Sequence, residues 1–193
     1  YRKKNNMVKI YTKNGDEGET NLFLGGKLSK NNIRVEAFGT VDELVSSLGF
    51  AKTLSENRKV IEILEMLQHS LFKIGAELSS DSNKTESIIN VIEKNNINDI
   101  ESLIDSITES IDLGTEFIMP GTSSSSAAID ISRTVARRLE RIVVSINKSE
   151  PVNKNILIYL NRISDLLFVL GRLEDKGKNI KKIRGIRKKK WKL

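Results

Sequence analysis

Arg133, Arg137 and Arg141 recur at four-residue spacing, with Arg138 beside them. On a helix that spacing places the first three in one stripe. Like charges stacked this way repel unless an anion or an acidic partner lies across them. The guanidinium fork is planar, permanently charged and bidentate, which suits the oxygens of a polyphosphate. Pairing with Asp130, Glu140 or carboxylates on another helix would satisfy the same stripe, so the arginines alone leave both readings open.

A second candidate is the run Thr12-Lys13-Asn14-Gly15-Asp16-Glu17-Gly18-Glu19-Thr20, followed by Gly25-Gly26-Lys27. Glycines let a backbone wrap closely around an anion, and exposed amides with Lys and Thr groups can hold phosphate oxygens. The segment is not a Walker A loop, because Asn21 stands where that motif needs its first glycine. On composition alone a plain turn explains it better. Further on, Phe117-Ile118-Met119-Pro120-Gly121-Thr122 leads into four serines, Ser123 to Ser126, where a helix begins and free amides favour anions. By composition Phe117 is a core residue. Asn161, Asp165, Phe168 and Arg172 share a face of the last helix and need partners there. The solitary His69 has no neighbours of ligand type and reads as structural, so no metal site on the protein is expected.

The elements that must position these groups are helical. Residues 8–40 show no sustained period and read as extended segments and loops. Thr40 and Glu43 have the spacing of a capping box, which predicts a helix from 41 to about Leu54. Val60, Leu64, Leu67, Leu71, Ile74 and Leu78 form the stripe of a second helix. A polar loop is expected over 79–87. Asn98 and Glu101 suggest another capping box, followed by Ile100, Ile104, Ile107 and Ile111. A fourth helix should run from near Ser124 to Ile146, and a fifth, after Pro151, carries Ile156, Leu160, Ile163, Leu167 and Leu170. Five antiparallel helices with one apolar face each predict an all-α bundle. The expected organisation is one domain over 1–193: an N-terminal segment at 8–40, the bundle at 41–175 and a tail at 176–193.

The net charge of +7 is local. Ten Lys or Arg and no acidic residue lie between Lys176 and Leu193, leaving 22 basic and 25 acidic side chains before them. A solvated tail is the plainer reading, and a contact with a polyanion is the other. The absence of cysteine excludes a disulfide scaffold, a thiolate-held metal and a thiol nucleophile. No apolar run approaches the roughly 18 residues of a membrane span, and Tyr1 to Asn6 contain no apolar stretch of the signal-peptide kind.

These pieces resemble one family. Ile10 to Gly18, then Arg34-Val35-Glu36-Ala37-Phe38-Gly39-Thr40-Val41-Asp42-Glu43-Leu44, look like the opening of PduO-type ATP:cob(I)alamin adenosyltransferases. Phe117 to Gly121 and Arg133 to Arg141 resemble the family's arginine helix, and Tyr159 to Phe168 its closing signature. The blocks stand in the right order from about residue 9 to 172. The resemblance implies a five-helix homotrimer with active sites between subunits, acting on ATP, with Mg²⁺, and on cobalamin as substrate. It assigns nucleotide binding to Thr12, Lys13, Asn14, Gly15, Thr20, Asn21 and Lys30, completed by Arg137, Arg138, Glu140, Arg141 and Asn161. It pairs Asp42 with Arg133 across the subunit boundary and lays Phe117 against the corrin, where it keeps the lower axial ligand off cobalt. Asn14, Thr122 and Asp130 depart from the family pattern, the last replacing a frequent His.

The implied reaction needs no catalytic Ser, Cys or His, since Co(I) is itself the nucleophile. Positioning and charge stabilisation of departing triphosphate carry the catalysis. The resemblance further implies a cytoplasmic location, or the mitochondrial matrix in a eukaryote. It also implies a cob(II)alamin reductase and an adenosylcobalamin-dependent enzyme as partners, with no membrane or nucleic-acid role. The basic tail lies outside the matched blocks, and its removal is expected to spare the chemistry.

Overall fold

The computed structural model describes residues 10–11, 13–80, 91–114 and 116–183. Thr12, most of the polar loop expected over 79–87, and the last ten residues lie outside that set. The chain begins with a hairpin, β1 (Glu19–Asn21) paired antiparallel to β2 (Lys27–Ser29) with Thr20 opposite Leu28. Gly25 and Gly26 both take φ of 93°, the left-handed backbone region that glycine enters without strain, and so close its loop.

Helix α1 (Ile33–Leu54) starts well before the expected position. Asn32 is its cap, accepting from the Arg34 amide at 2.8 Å, and Glu36 sits in the first turn where the helix dipole favours an acid. Thr40 is buried mid-helix and donates its hydroxyl to the Glu36 carbonyl at 2.7 Å, so the bundle begins at Ile33 rather than 41. Helix α2 (Arg58–Leu78) is capped by Asn57. Helix α3 (Lys94–Glu109) begins where Asn96 Oδ1 accepts from the Glu93 amide at 3.0 Å. The box expected at Asn98 and Glu101 therefore lies inside α3, and Glu101 instead accepts from Arg162 Nε at 2.7 Å.

After β3 (Phe117–Ile118), helix α4 (Ser124–Ile146) opens with a reciprocal box: Ser126 N donates to Ser123 Oγ, and Ser123 N to Ser126 Oγ. Helix α5 (Lys154–Glu174) follows Pro151 and is capped by Asn153. A last short strand, β4 (Lys182–Ile183), returns to pair with β3.

Helices α1, α2, α5 and α4 pack in a ring, each against the next, and α3 lies outside against α5. Because α5 is covered on three sides its buried face is wide, taking in Leu166 and Val169 as well as the expected stripe. Leu44, Leu67, Leu139 and Leu167 are fully buried, each contributing about 1.5–3 kcal/mol. Tyr159 joins this core and donates its hydroxyl to Ser70 Oγ at 3.0 Å, fixing α5 to α2. At the other end of α2, Arg34 donates to the Leu78 and Ser80 carbonyls and pairs with Glu150, clasping the start of α1 to the ends of α2 and α4.

Candidate functional site

The arginine stripe lies on α4 as its spacing requires, but its members differ. Arg133 is half-buried and donates Nε to Asp130 Oδ1 at 3.1 Å. Arg138 pairs with Glu43 of α1. Arg137 and Arg141 are exposed, and among the described residues neither has a carboxylate partner; Arg141 Nη1 donates only to the Arg137 carbonyl at 2.9 Å. Two guanidinium groups one turn apart thus face outward without a counter-charge. Glu140 accepts from Asn161 Nδ2 at 2.9 Å, and Asn161 Oδ1 accepts from Arg162 at 2.7 Å, which holds the α5 amide against α4. Asp42 is exposed on α1 and makes no ion pair within its own chain among the described residues. The expected partners Asp42 and Arg133 are therefore not joined within one chain.

The glycine-containing segment is a built turn. Lys13 has φ of 63°, rare for a residue with a side chain. The Lys30 ammonium reaches back across the hairpin base to the Gly15 carbonyl at 2.7 Å, and the Lys30 amide donates to Gly18 O at 2.8 Å. A Cβ on Gly15 would stand 3.1 Å from that ammonium, so a larger residue would push it away. The Phe23 amide donates to the Ser79 carbonyl at 2.9 Å, fixing the hairpin to the end of α2. Lys13, Asn14 and Asn21 are exposed, and Thr20 is half-buried.

Phe117 is not a core residue. It is 58% exposed on β3, with Met119 40% exposed two positions on. Phe117 lies opposite Ile183 and Ile118 opposite Lys182, and the Met119 amide donates to the Lys181 carbonyl at 2.9 Å. The first part of the basic tail is thus attached to the Phe117 strand, a contact that its charge gave no reason to expect.

Sequence reasoning also missed a buried ionic chain. Asp130 Oδ2 accepts from Arg172 Nη2 at 2.7 Å, and that same nitrogen lies 3.6 Å from Asp175 Oδ2. Arg172 stands 5.5 Å above the Phe168 ring centre. Asp175 Oδ1 accepts from Ser123, the cap of α4, at 3.0 Å. Ser125 Oγ and Ser55 both donate to Glu174, so the serine run is tied to the end of α5. The signal available was Asp130 itself, an acid on an otherwise apolar helix face.

This arrangement combines unpaired arginines, a glycine turn held by Lys30 and an exposed aromatic strand ahead of the arginine helix. The chain that carries it is similar to known proteins. The chain is 38% identical over 169 residues to a corrinoid adenosyltransferase of Citrobacter freundii, covering 88% of this chain and 96% of that one. It is 37% identical over 166 residues to the corrinoid adenosyltransferase PduO of Salmonella typhimurium, covering 86% of this chain but 49% of that protein, about half its length. Among solved structures it resembles a phenylalanine-to-alanine variant of the PduO-type ATP:corrinoid adenosyltransferase from Lactobacillus reuteri complexed with cobalamin and ATP. The TM-score is 0.85 and the identity 33%, over 92% of this chain and all of that one. The model of one family, cobalamin adenosyltransferase, matches residues 10–174, nearly the whole helical bundle with its hairpin, and the chain belongs to that family.

Proposed function

We propose that this protein transfers the 5′-deoxyadenosyl group of ATP to cob(I)alamin, forming adenosylcobalamin and releasing triphosphate. The observation that carries the reading is a pair of exposed guanidinium groups, Arg137 and Arg141, with no carboxylate partner among the described residues, together with the exposed Phe117 ring on the strand ahead of their helix. In the transfer the Co(I) lone pair attacks C5′ of ATP, the C5′–O bond breaks, and its electrons leave with the triphosphate. Arg137 and Arg141 neutralise charge on that leaving group, as do Lys13 and Lys30 of the glycine-containing segment. Glu140 and Asn161 hold each other beside the stripe and orient the nucleotide, as do Thr12, Asn14, Gly15, Thr20, Asn21 and Arg138.

Phe117 presents an apolar ring to the corrin. Excluding an axial donor from cobalt lowers the orbital that accepts the electron, so Co(II) is more easily reduced to Co(I). The described residues hold no group of three or more His, Cys, Asp or Glu that could bind a metal. The expected Mg²⁺ therefore has no cage of its own among them, and no step here passes through it.

The active unit is a homotrimer whose sites lie between subunits. Among the described residues Asp42 has no partner in its own chain and Arg133 uses only its Nε, on Asp130, which supports their pairing across the boundary. No helix of the described residues is long and apolar enough to cross a membrane. We place the enzyme in the cytoplasm, or in the mitochondrial matrix of a eukaryote, supplied by a cob(II)alamin reductase and serving an adenosylcobalamin-dependent enzyme. Incubation with ATP, Mg²⁺ and chemically reduced cobalamin should give the absorption change of cobalt–carbon bond formation. ATP binding without that change would leave a nucleotide-binding protein instead.

A further inference from the structure

The family match ends at residue 174, yet the chain beyond it is attached to Phe117. From Lys176 onward this extension has ten Lys or Arg and no acid. Lys176, Lys178, Lys181 and Lys182 are exposed and, among the described residues, none has a carboxylate partner. An unneutralised cluster of this kind attracts an anion.

Strand geometry says which lysine matters. Side chains alternate faces along a strand, and directly opposed residues of an antiparallel pair share a face. Phe117 is opposite Ile183 and Ile118 opposite Lys182, so the register puts Lys181 opposite Met119. Lys181 therefore shares the face of Phe117 and Met119. Lys182 belongs to the other face, where its ammonium lies beside Gly114: a Cβ there would be 3.0 Å from it. One face thus combines an exposed aromatic ring, an exposed thioether and an unpaired ammonium. A large flat apolar ligand with an anionic appendage fits that combination.

Resting on the transferase reading above, we propose that Lys181 is a specificity determinant for the corrinoid. It binds the phosphodiester of the nucleotide loop that a complete corrinoid carries and that cobinamide lacks. The β3–β4 pairing fixes the Lys181 backbone beside Phe117, so that the ring on the strand and the cation on the tail engage one substrate together. The triphosphate of ATP offers the same chemistry, and the two sources are separated by varying each substrate alone.

The test uses the full-length protein and its K181A and K182A variants, with cobalamin and cobinamide, each reduced to Co(I), as substrates. K181A should raise KM for cobalamin about threefold to tenfold, the range for one exposed to partly shielded charge contact. It should also flatten the rise of that KM with salt. KM for cobinamide, KM for ATP and the melting temperature should stay at their wild-type values, and K182A should match wild type throughout. The inference is overturned if K181A shifts cobinamide as much as cobalamin, if it shifts ATP instead, if K182A has the same effect, or if cobalamin KM does not move. A wild-type protein that transfers to neither corrinoid would overturn the transferase reading itself, a result distinct from all of these.

Discussion

Arg172 Nη2 lies 2.7 Å from Asp130 Oδ2, with Arg172 only 3% exposed, so the charged ends of α4 and α5 are joined in the protein interior. Asp130 uses its other oxygen for Arg133, and Asp175 stands behind Arg172, so the two acids balance the two arginines. Removing Asp130 leaves buried Arg172 with only the longer, 3.6 Å contact to Asp175, and breaking a buried pair costs about 3–5 kcal/mol. Asp130→Ala should therefore lower stability by that amount in urea unfolding. A loss below 1 kcal/mol would mean that water already reaches Arg172.

Arg137 is exposed and has no carboxylate partner among the described residues, so its removal should leave the melting temperature unchanged. A charged contact to triphosphate contributes about 1.5–3 kcal/mol, and Arg137→Ala should weaken ATP binding tenfold or more. Calorimetric titration of ATP into this variant reads the change directly. Wild-type affinity would return the stripe to the solvent.

Asp42→Asn keeps the size of the side chain and does not touch the cap of α1, which Asn32 supplies. Helix content by circular dichroism should stay constant, while transfer activity should fall if Asp42 pairs with Arg133 across a subunit boundary, as proposed above. Full activity in a variant of unchanged oligomeric size would remove Asp42 from the boundary.

A fully buried phenylalanine truncated to alanine costs about 3–5 kcal/mol. With Phe117 at 58% exposure, Phe117→Ala should cost far less and barely move the melting temperature. Its effect should appear in turnover: a large loss when Co(II) must be reduced on the enzyme, and a smaller one when Co(I) is supplied. With ATP the wild type should show a four-coordinate Co(II) spectrum, and the variant a shift toward five-coordinate. Early melting with normal turnover would show a packing role.

Glu77 is 8% exposed at the end of α2, with Oε2 lacking a hydrogen-bond partner among the described residues. It lines a cavity of about 300 Å³ with Arg34, Glu150 and Asn153. Burial pushes its carboxyl above the ordinary 4.5, opposed in part by a hydrogen bond with Asn153. The folded state thus holds this proton more tightly than the unfolded chain, so stability is lost as pH rises from 4.5 through the folded-state value. Glu77→Gln removes that penalty. It should melt higher than wild type at pH 7.5, with the difference fading below pH 4.5. An equal difference at both pH values would assign the gain to something other than ionisation.

Much of this molecule was legible along the chain, because the patterns involved are local. Apolar residues spaced by three or four specify a buried helix face whatever lies opposite, and four of the five helices follow from them or from the serine cap of α4. The start of α1 was misread because Thr40 and Glu43 carry the spacing of a cap inside a helix that Asn32 had already begun. The motifs at Lys13 to Gly18, Arg133 to Arg141 and Tyr159 to Phe168 identified the family.

What the chain order could not decide were pairings between distant residues, since these depend on which helix faces meet after packing. Asp130 could as well have served an exposed stripe; only the contact of α4 with α5 gives it Arg172. Phe117 has the composition of a core residue, and only its position on a two-residue strand outside the helix ring leaves it exposed. Charge alone described the tail as solvated. Backbone hydrogen bonding, which is blind to side-chain charge, joins Lys181 to Met119 and brings the tail to the face of Phe117.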